Sequence, residues 1–151
     1  MLRLYNSRKS FELPSGFALE REKTPSPIAV NRLLSQCRLE THPPKKLALA
    51  LNRSDFYLSI FDLANGDLCG FVRVTSDKGL NANLWDLAAL PGDNQPIFVS
   101  ILVCRALEII KREMPGCSVS VSASKLSVEI LKNQGFLVDP NGIRVMGFRL
   151  R

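Results

Sequence analysis

The chain has 151 residues, 46% of them hydrophobic, so it is expected to form a single domain with its own core. No apolar run reaches the roughly 20 residues that a membrane span needs, and residues 1–9 lack the apolar stretch of a secretory signal. The sequence therefore predicts a cytoplasmic protein without a membrane partner. Its net charge of +6 is concentrated near the two ends but forms no dense run, which favours a solvated surface over nucleic-acid binding.

The hydrophobic patterns predict eleven elements in the order β-α-α-β-β-β-α-β-α-β-β. The predicted segments are, in chain order, residues 17–22 (strand), 26–37 and 45–51 (helices), 56–63, 68–75 and 81–90 (strands), 96–114 (helix), 117–123 (strand), 124–133 (helix), and 137–138 and 143–150 (strands). One mixed sheet flanked by helices accommodates this order. We expect residues 1–13 to form a loosely ordered N-terminal arm and residues 14–151 to form one α/β (α+β) domain.

Local signals set several of these boundaries. Ser26 and Pro27 are suited to begin the first helix as N-cap and first-turn proline, and Gly135 is suited to end the last one. An Asn-Gly pair between the second and third strands predicts a hairpin. The long helix, residues 96–114, is apolar on most sides and is expected to be buried.

The four cysteines, Cys37, Cys69, Cys104 and Cys117, have no C-x-x-C spacing, and one histidine, His42, is available to join them. A structural zinc site needs four ligands at compact spacing. Buried, reduced thiols are therefore favoured, and no metal is expected. His42 lies in a Thr-His-Pro-Pro loop, where chance placement is favoured over partnership with a catalytic cysteine.

Four short motifs follow one another between residues 70 and 143. They are Gly-Phe-Val-Arg-Val-Thr-Ser-Asp at 70–77, Asn-Ala-Asn-Leu-Trp-Asp at 81–86, Asn-Gln-Gly-Phe at 133–136 and Asp-Pro-Asn-Gly-Ile at 139–143. Together they resemble the GNAT superfamily of N-acetyltransferases, in particular its cyanobacterial and plastid branch, where similar stretches read G-F-A-R-x-x-S-D, N-A-x-I-W-D, L-G-F and D-P-x-G-I. The resemblance extends from about residue 13 onward. It implies a mixed, mostly antiparallel GNAT-like sheet flanked by helices.

The resemblance implies an acetyl-CoA-dependent N-acetyltransferase that acts on a primary amine, namely a protein lysine or N-terminus, or a small arylalkylamine or polyamine. The amine attacks the thioester directly, and the backbone at Leu87, Ala88 and Ala89 fixes the acetyl group. The implied partners are acetyl-CoA and the amine acceptor, and a homodimer is compatible with them. The alternative is a non-catalytic GNAT-fold pseudoenzyme, whose cleft is closed or serves a protein partner.

The family's phosphate loop reads Q/R-x-x-G-x-G/A, and this chain departs from it. Gln95 matches the first position, whereas Phe98 and Ser100 replace the two small residues and Pro96 removes one N–H. Each replacement adds a Cβ where a positive φ is expected. The implied cofactor contacts at Gln95, Phe98, Val99 and Ser100 are therefore predicted to be weaker by roughly a hundredfold. The alternative is that Phe98 is a core aromatic that fills a vacated cofactor cleft.

The resemblance also implies roles on the last helix. Many family members have a tyrosine four residues before the Gly-Phe pair, where it protonates the leaving thiolate, but this chain has Leu131 there. Ser124 and Ser127 stand where polar contact with the cofactor arm is expected. Because general acid assistance contributes about 10²–10⁴-fold, an enzyme without this tyrosine is expected to work slowly through water.

Asp86 is the remaining catalytic candidate. Alternation along its strand directs the side chain away from those of Trp85 and Leu87, and the resemblance places this strand at the acceptor site. Asp86 is predicted to act as general base or to hold a cationic acceptor. The alternative is a structural carboxylate bonded to backbone or to an arginine such as Arg73 on the adjacent strand.

Overall fold

The computed structural model describes residues 11–144, 146, 147 and 149. Its elements are, in chain order, β1 Phe17–Glu20, α1 Pro27–Gln36, α2 Pro44–Arg53, β2 Phe56–Asp62, β3 Leu68–Ser76, β4 Asn81–Ala89, α3 Gln95–Glu113, β5 Ser118–Val121 and α4 Val128–Asn133, followed by a 3-10 turn at Pro140–Gly142. The first nine predicted elements are confirmed in type and order.

The strands form one sheet in the order β1-β2-β3-β4-β5. Neighbours are antiparallel from β1 to β4, and β5 is parallel to β4, which it reaches through the crossover helix α3. The predicted mixed, mostly antiparallel sheet flanked by helices is confirmed. The Asn-Gly hairpin joins β2 to β3, and Gly66 in its turn has a φ of +76°, which glycine adopts without strain.

Helices cover both faces of the sheet. On one face α3 packs against β2, β3 and β4, and Gly70 permits this close approach because a Cβ there would lie 3.2 Å from the Leu102 side chain. On the other face α1 and α2 enclose a second cluster around Phe71. Within residues 11–144, no helix combines the length and apolar composition that crossing a membrane requires.

The two strands predicted after α4 are wrong where the structure describes them. Neither residues 137–138 nor the described residues of 143–150 are in a strand, and residues 145, 148 and 150 lie outside the described part. Leu137 and Ile143 are 77% and 70% exposed, so their apolar pattern has no core face to cover. Between them Asp139 and Asn141 have φ values of +45° and +56°, which interrupt an extended chain.

Two further expectations need adjustment. The predicted N-terminal arm is described from Phe11 onward, and there Phe11 and Leu13 pack against the core, while residues 1–10 lie outside the described residues. All four cysteines are free thiols, as predicted, but Cys69 alone among them is buried.

Ser59 in β2 is fully buried, and its hydroxyl has no hydrogen-bond partner among the described residues. Because an unpaired buried hydroxyl costs free energy, we predict that Ser59→Ala raises the free energy of unfolding by about 1 kcal/mol. Urea unfolding measures this. The matched control is Ser54→Ala, which removes a 2.7 Å bond to the Ala50 carbonyl and is expected to lower stability instead. A loss of stability on Ser59→Ala would contradict the prediction.

An ion pair joins β1 to the end of α3. Both guanidinium nitrogens of Arg21 bond the Glu113 carboxylate, at 2.8 and 2.7 Å, and Arg112 adds a bond of 2.9 Å. The hydrogen bond from Arg21, followed by that from Arg112, lowers the pKa of Glu113 from 4.5 to about 2. A carboxylate with a depressed folded-state pKa stabilises the fold above its unfolded pKa, and this contribution is lost as the pH falls.

We therefore predict that Glu113→Gln flattens the decline of stability between pH 4.5 and 2. Unfolding free energies measured across this range test it, and the two proteins should converge at the acid end because the wild-type carboxylate is then protonated. Glu108→Gln is the matched control, since Glu108 forms an exposed pair with Arg105 within the same helix and does not join two elements. Parallel acid profiles for Glu113→Gln and wild type would disprove the linkage.

Candidate functional site

The site begins where β4 and β5 separate. The two strands pair at four positions, from Asn81 opposite Ser118 to Leu84 opposite Val121. Beyond Leu84, β4 pairs with β3 at Trp85, Ala88 and Ala89, and within the described part of the chain residues 85–89 have no strand partner on the β5 side. The Ala89 carbonyl already accepts from Gln95 Nε2 and Cys37 Sγ, so the backbone groups that this edge offers to a ligand are those that precede it.

A bulge in β4 lies at the start of this split. The register between β3 and β4 shifts between Phe71 and Arg73, and Asp86 has a φ of +55°, in the left-handed region. A bulge redirects side chains and increases the local twist. The simple alternation from which the direction of Asp86 was predicted is therefore interrupted at Asp86 itself.

Both carboxylate oxygens of Asp86 are bonded. Arg73 Nε donates to Oδ2 at 3.0 Å, and His42 Nε2 lies 2.7 Å from Oδ1. The side chains of Asp86 and Arg73 are 11% and 15% exposed, whereas that of His42 is 35% exposed. The bond between Asp86 and Arg73, which the structural alternative for Asp86 required, is thus present. His42 contacts the same carboxylate.

His42 is the residue of this cluster that the sequence did not reveal. It lies in the connection between α1 and α2, 44 positions before Asp86. Asn31 of α1 fixes this connection, because its Oδ1 accepts from His42 N at 2.9 Å and its Nδ2 donates to His42 O at 2.7 Å. The sequence showed that His42 is the single histidine and that two prolines follow it. Neither fact indicated a partner on β4.

An exposed aromatic ring borders the cluster. Trp85 is 40% exposed, and its Nε1 donates to Thr75 Oγ1 at 2.8 Å. The Arg73 guanidinium lies 5.9 Å from the ring centroid, a favourable distance for a cation–π contact. The ring is therefore held in place by two contacts, next to Asp86 in the chain, and part of the residue is exposed to solvent.

The segment expected to form a phosphate loop is helical. α3 begins at Gln95, and neither Phe98 nor Ser100 has a positive φ, so the strain expected from their Cβ atoms is absent. Gln95 N already donates to Gly92 O and Phe98 N to Asn94 O. With Pro96 lacking an N–H, the first turn offers an anion fewer backbone donors than a helix start usually does.

The polar side chains predicted to contact the cofactor bond within the protein. Gln95 Nε2 donates to the Ala89 carbonyl at 2.9 Å, and Ser100 Oγ donates to Pro96 O at 2.8 Å. Ser127 Oγ donates to Ser124 O at 3.0 Å, and the two hydroxyl oxygens lie 3.1 Å apart. These groups would have to exchange their present partners before they could bind a ligand.

Some apolar residues of the predicted site lie along the split, and others lie in the core. Ala88, Ala89 and Val99 are buried, and Leu87 is half-buried. Leu131, at the position of the family's tyrosine, is 2% exposed and belongs to the core cluster.

Phe98 lies in the core and not in the split. Its ring is 2% exposed and meets the ring of Phe17 edge-on, with centroids 4.9 Å apart. Phe17 belongs to β1, at the edge of the sheet opposite to β5. The interpretation of Phe98 as a core aromatic agrees with this geometry, whereas a ring that closes the β4–β5 split does not.

We predict that Phe98→Ala lowers the free energy of unfolding by about 3–5 kcal/mol, because it leaves a cavity in a packed core. A double-mutant cycle with Phe17→Ala should give a coupling of about 1 kcal/mol, typical of an edge-on aromatic pair. Chemical denaturation of the four proteins provides both values. A loss below 1 kcal/mol would mean that the ring is not a core element.

Comparison with curated proteins finds plastid relatives. The uncharacterized N-acetyltransferase ycf52 of Pyropia yezoensis is 34% identical over 106 residues, and that of Porphyra purpurea is 30% identical over 106 residues. Each alignment covers 69% of this chain and 60% of the relative, so the chain spans about 60% of the length of these relatives. Histone acetyltransferase TAP1 of Glycine max is 29% identical over 113 residues, which cover 69% of this chain and 48% of that protein. No family model matches the chain.

Solved structures share the fold. A probable acetyltransferase of Staphylococcus aureus superposes with a TM-score of 0.78 at 17% identity, over 89% of this chain and 99% of the other. A GNAT family acetyltransferase of Streptococcus pneumoniae gives 0.69 at 16% identity, over 89% and 98%. The ribosomal-protein-S18-alanine N-acetyltransferase of Escherichia coli gives 0.61 at 14% identity, over 79% and 76%. At such identities the likeness concerns the fold.

Proposed function

Because the chain has the GNAT fold and resembles the plastid branch of the GNAT N-acetyltransferases, we propose that it transfers an acetyl group from acetyl-CoA to a primary amine. The observation that carries this proposal is the split that opens after Leu84, with the Asp86 bulge at its start. An unpaired strand edge beside a cluster of charged side chains offers both a backbone site for a thioester and a polar site for an amine.

In this proposal the thioester lies along the free edge of β4. The backbone at Leu87, Ala88 and Ala89 holds the acetyl group, in the part of β4 that has no β5 partner. Donors fixed before the reaction begins stabilise the negative charge that develops on the carbonyl oxygen, since they need no reorganisation during the step. The amine approaches from the side of Asp86 and Trp85.

The charges at the site favour an acceptor with a single amine. Asp86 is the one carboxylate among the described contacts of the cluster, and Arg73 offsets its charge. A polyamine would need several free carboxylates to bind its additional ammonium groups. Trp85 offers its exposed face to an aromatic ring or to one ammonium group. We therefore favour a protein amine or an arylalkylamine over a polyamine.

A non-catalytic relative is the second candidate, and a specific observation supports it. Gln95, Ser100, Ser124 and Ser127, which we propose as polar contacts of acetyl-CoA, bond within the protein. The apolar contacts proposed at Phe98 and Val99 are in the core. A protein with this arrangement would keep the fold while binding acetyl-CoA poorly or not at all.

We predict that acetyl-CoA binds with a dissociation constant beyond about 100 µM, because the first turn of α3 has lost charge-assisted N–H bonds to phosphate. Titration calorimetry measures the constant. At donor concentrations above it, release of CoA thiol should occur with at least one amine of a panel that contains an arylalkylamine, a lysine peptide, a peptide with a free N-terminus and a polyamine.

The outcomes separate the candidates. Thiol release that depends on an added amine supports the transferase, whereas a folded protein that releases no thiol with any amine supports the non-catalytic relative. A low-micromolar dissociation constant would show that the phosphates are bound by another route, such as lysine or arginine side chains. Gln95→Ala is an informative variant, since it removes one proposed polar contact and leaves the Ala89 carbonyl with the Cys37 thiol as its remaining side-chain donor.

A further inference from the structure

The side chains of the cluster at the start of the split, namely Arg73, Asp86 and His42, differ in the chemistry that each can perform. Asp86 accepts from Arg73 with one oxygen and contacts His42 with the other, and its side chain is 11% exposed. If Asp86 took a proton from an amine, it would have to give up one of these charge-assisted bonds. The carboxylate is therefore better suited to hold a neighbouring group than to exchange protons with a substrate.

The contact with Asp86 fixes the hydrogen on the imidazole of His42. An ionised carboxylate only accepts hydrogen bonds, so the proton between His42 Nε2 and Asp86 Oδ1 resides on Nε2. In the neutral ring Nδ1 is then the nitrogen with a free lone pair. Within the described residues, no hydrogen bond is found for this nitrogen, and 35% of the side chain is exposed.

The imidazole is also held in position from behind. The carboxamide of Asn31 bonds both the N–H and the carbonyl of His42, at 2.9 and 2.7 Å. These two bonds anchor the α1–α2 connection to α1, whose Val30, Leu33 and Leu34 are buried in the core. His42 is thus attached to a rigid element on one side and to the β4 bulge on the other.

We propose that His42 accepts the proton of the acceptor amine, with Asp86 and Asn31 as positioning residues. This inference rests on the function proposed above. The ammonium group gives one proton to His42 Nδ1, which later passes it to solvent, and Asp86 stabilises the imidazolium that forms. The amine nitrogen bonds to the thioester carbonyl carbon, the C–S bond breaks, and the second nitrogen proton passes to the thiolate to give CoA thiol and the amide.

The first test is kinetic and uses the whole chain. His42→Gln keeps an N–H donor for Asp86, so it is expected to leave the melting temperature and the dissociation constant for acetyl-CoA near those of wild type. It should lower kcat by about 10²–10⁴-fold, the usual contribution of a positioned base. Added imidazole should restore part of the rate to His42→Ala. Lys46→Gln, an exposed change in the adjoining helix, is the matched control and should stay within twofold of wild type.

The second test is spectroscopic and concerns the positioning residues. Because the chain has one histidine, the ¹⁵N signals of its ring are unambiguous. In the wild type they should show the tautomer with hydrogen on Nε2. Asp86→Asn should populate the other tautomer and lower kcat while leaving acetyl-CoA binding unchanged. Asn31→Ala should broaden the ring signals and lower kcat by roughly tenfold, within the range that misplacement of a base produces.

Each result decides one point. If wild type is active and His42→Gln retains more than a third of its kcat, the role of His42 is refuted while the proposed function stands. If wild type releases no thiol with any amine, the proposed function fails and this inference fails with it. An unchanged tautomer in Asp86→Asn would refute the positioning role of Asp86 alone.

Discussion

The end of the pairing between β4 and β5 is the constraint on which the site depends. β5 is four residues long and pairs with β4 over its full length, whereas β4 continues for five residues beyond the last pair. The bulge at Asp86, with its register shift against β3 and its positive φ, lies two residues beyond the last of these pairs. Residues 85–89 of β4 therefore lie past the end of β5 and form a free edge.

The backbone at Asp86 is maintained at a cost. An aspartate in the left-handed region is strained by about 1–2 kcal/mol, and such conformations persist where surrounding contacts over-determine them. The contacts here are the bonds of the carboxylate to Arg73 and His42. Arg73 is itself located by the ladder and by the ring of Trp85. The side chains that would serve an amine are therefore the same ones that hold the bulge in place.

The sequence predicted those features that depend on local chemistry. The cap at Ser26, the Asn-Gly hairpin and the apolar helix α3 each follow from a few neighbouring residues, and each is present. The strands predicted after α4 failed because alternation does not show whether a core face is available, and Leu137 and Ile143 are exposed.

The candidate site was less predictable because it depends on contacts between distant parts of the chain. The bond between His42 and Asp86 joins a loop to a bulge, and no periodicity encodes a bulge that one register shift produces. The family motif located the segment around Gln95, and its helical conformation was predicted separately, from the apolar pattern of residues 96–114. The motif thus gave the place of the site, whereas its geometry came from the fold.

The two sides of the site have departed from the family pattern to different degrees, and this has a kinetic meaning. On the side proposed for the donor, the first turn of α3 contains Pro96, and the Ser100 and Ser127 hydroxyls bond within the protein. Contacts with the phosphates are equally strong in the ground state and the transition state, so their loss raises KM without lowering kcat. On the acceptor side, both carboxylate oxygens of Asp86 are bonded and Asn31 anchors the backbone of His42. Weak binding of the donor is therefore compatible with intact chemistry at the bond that forms.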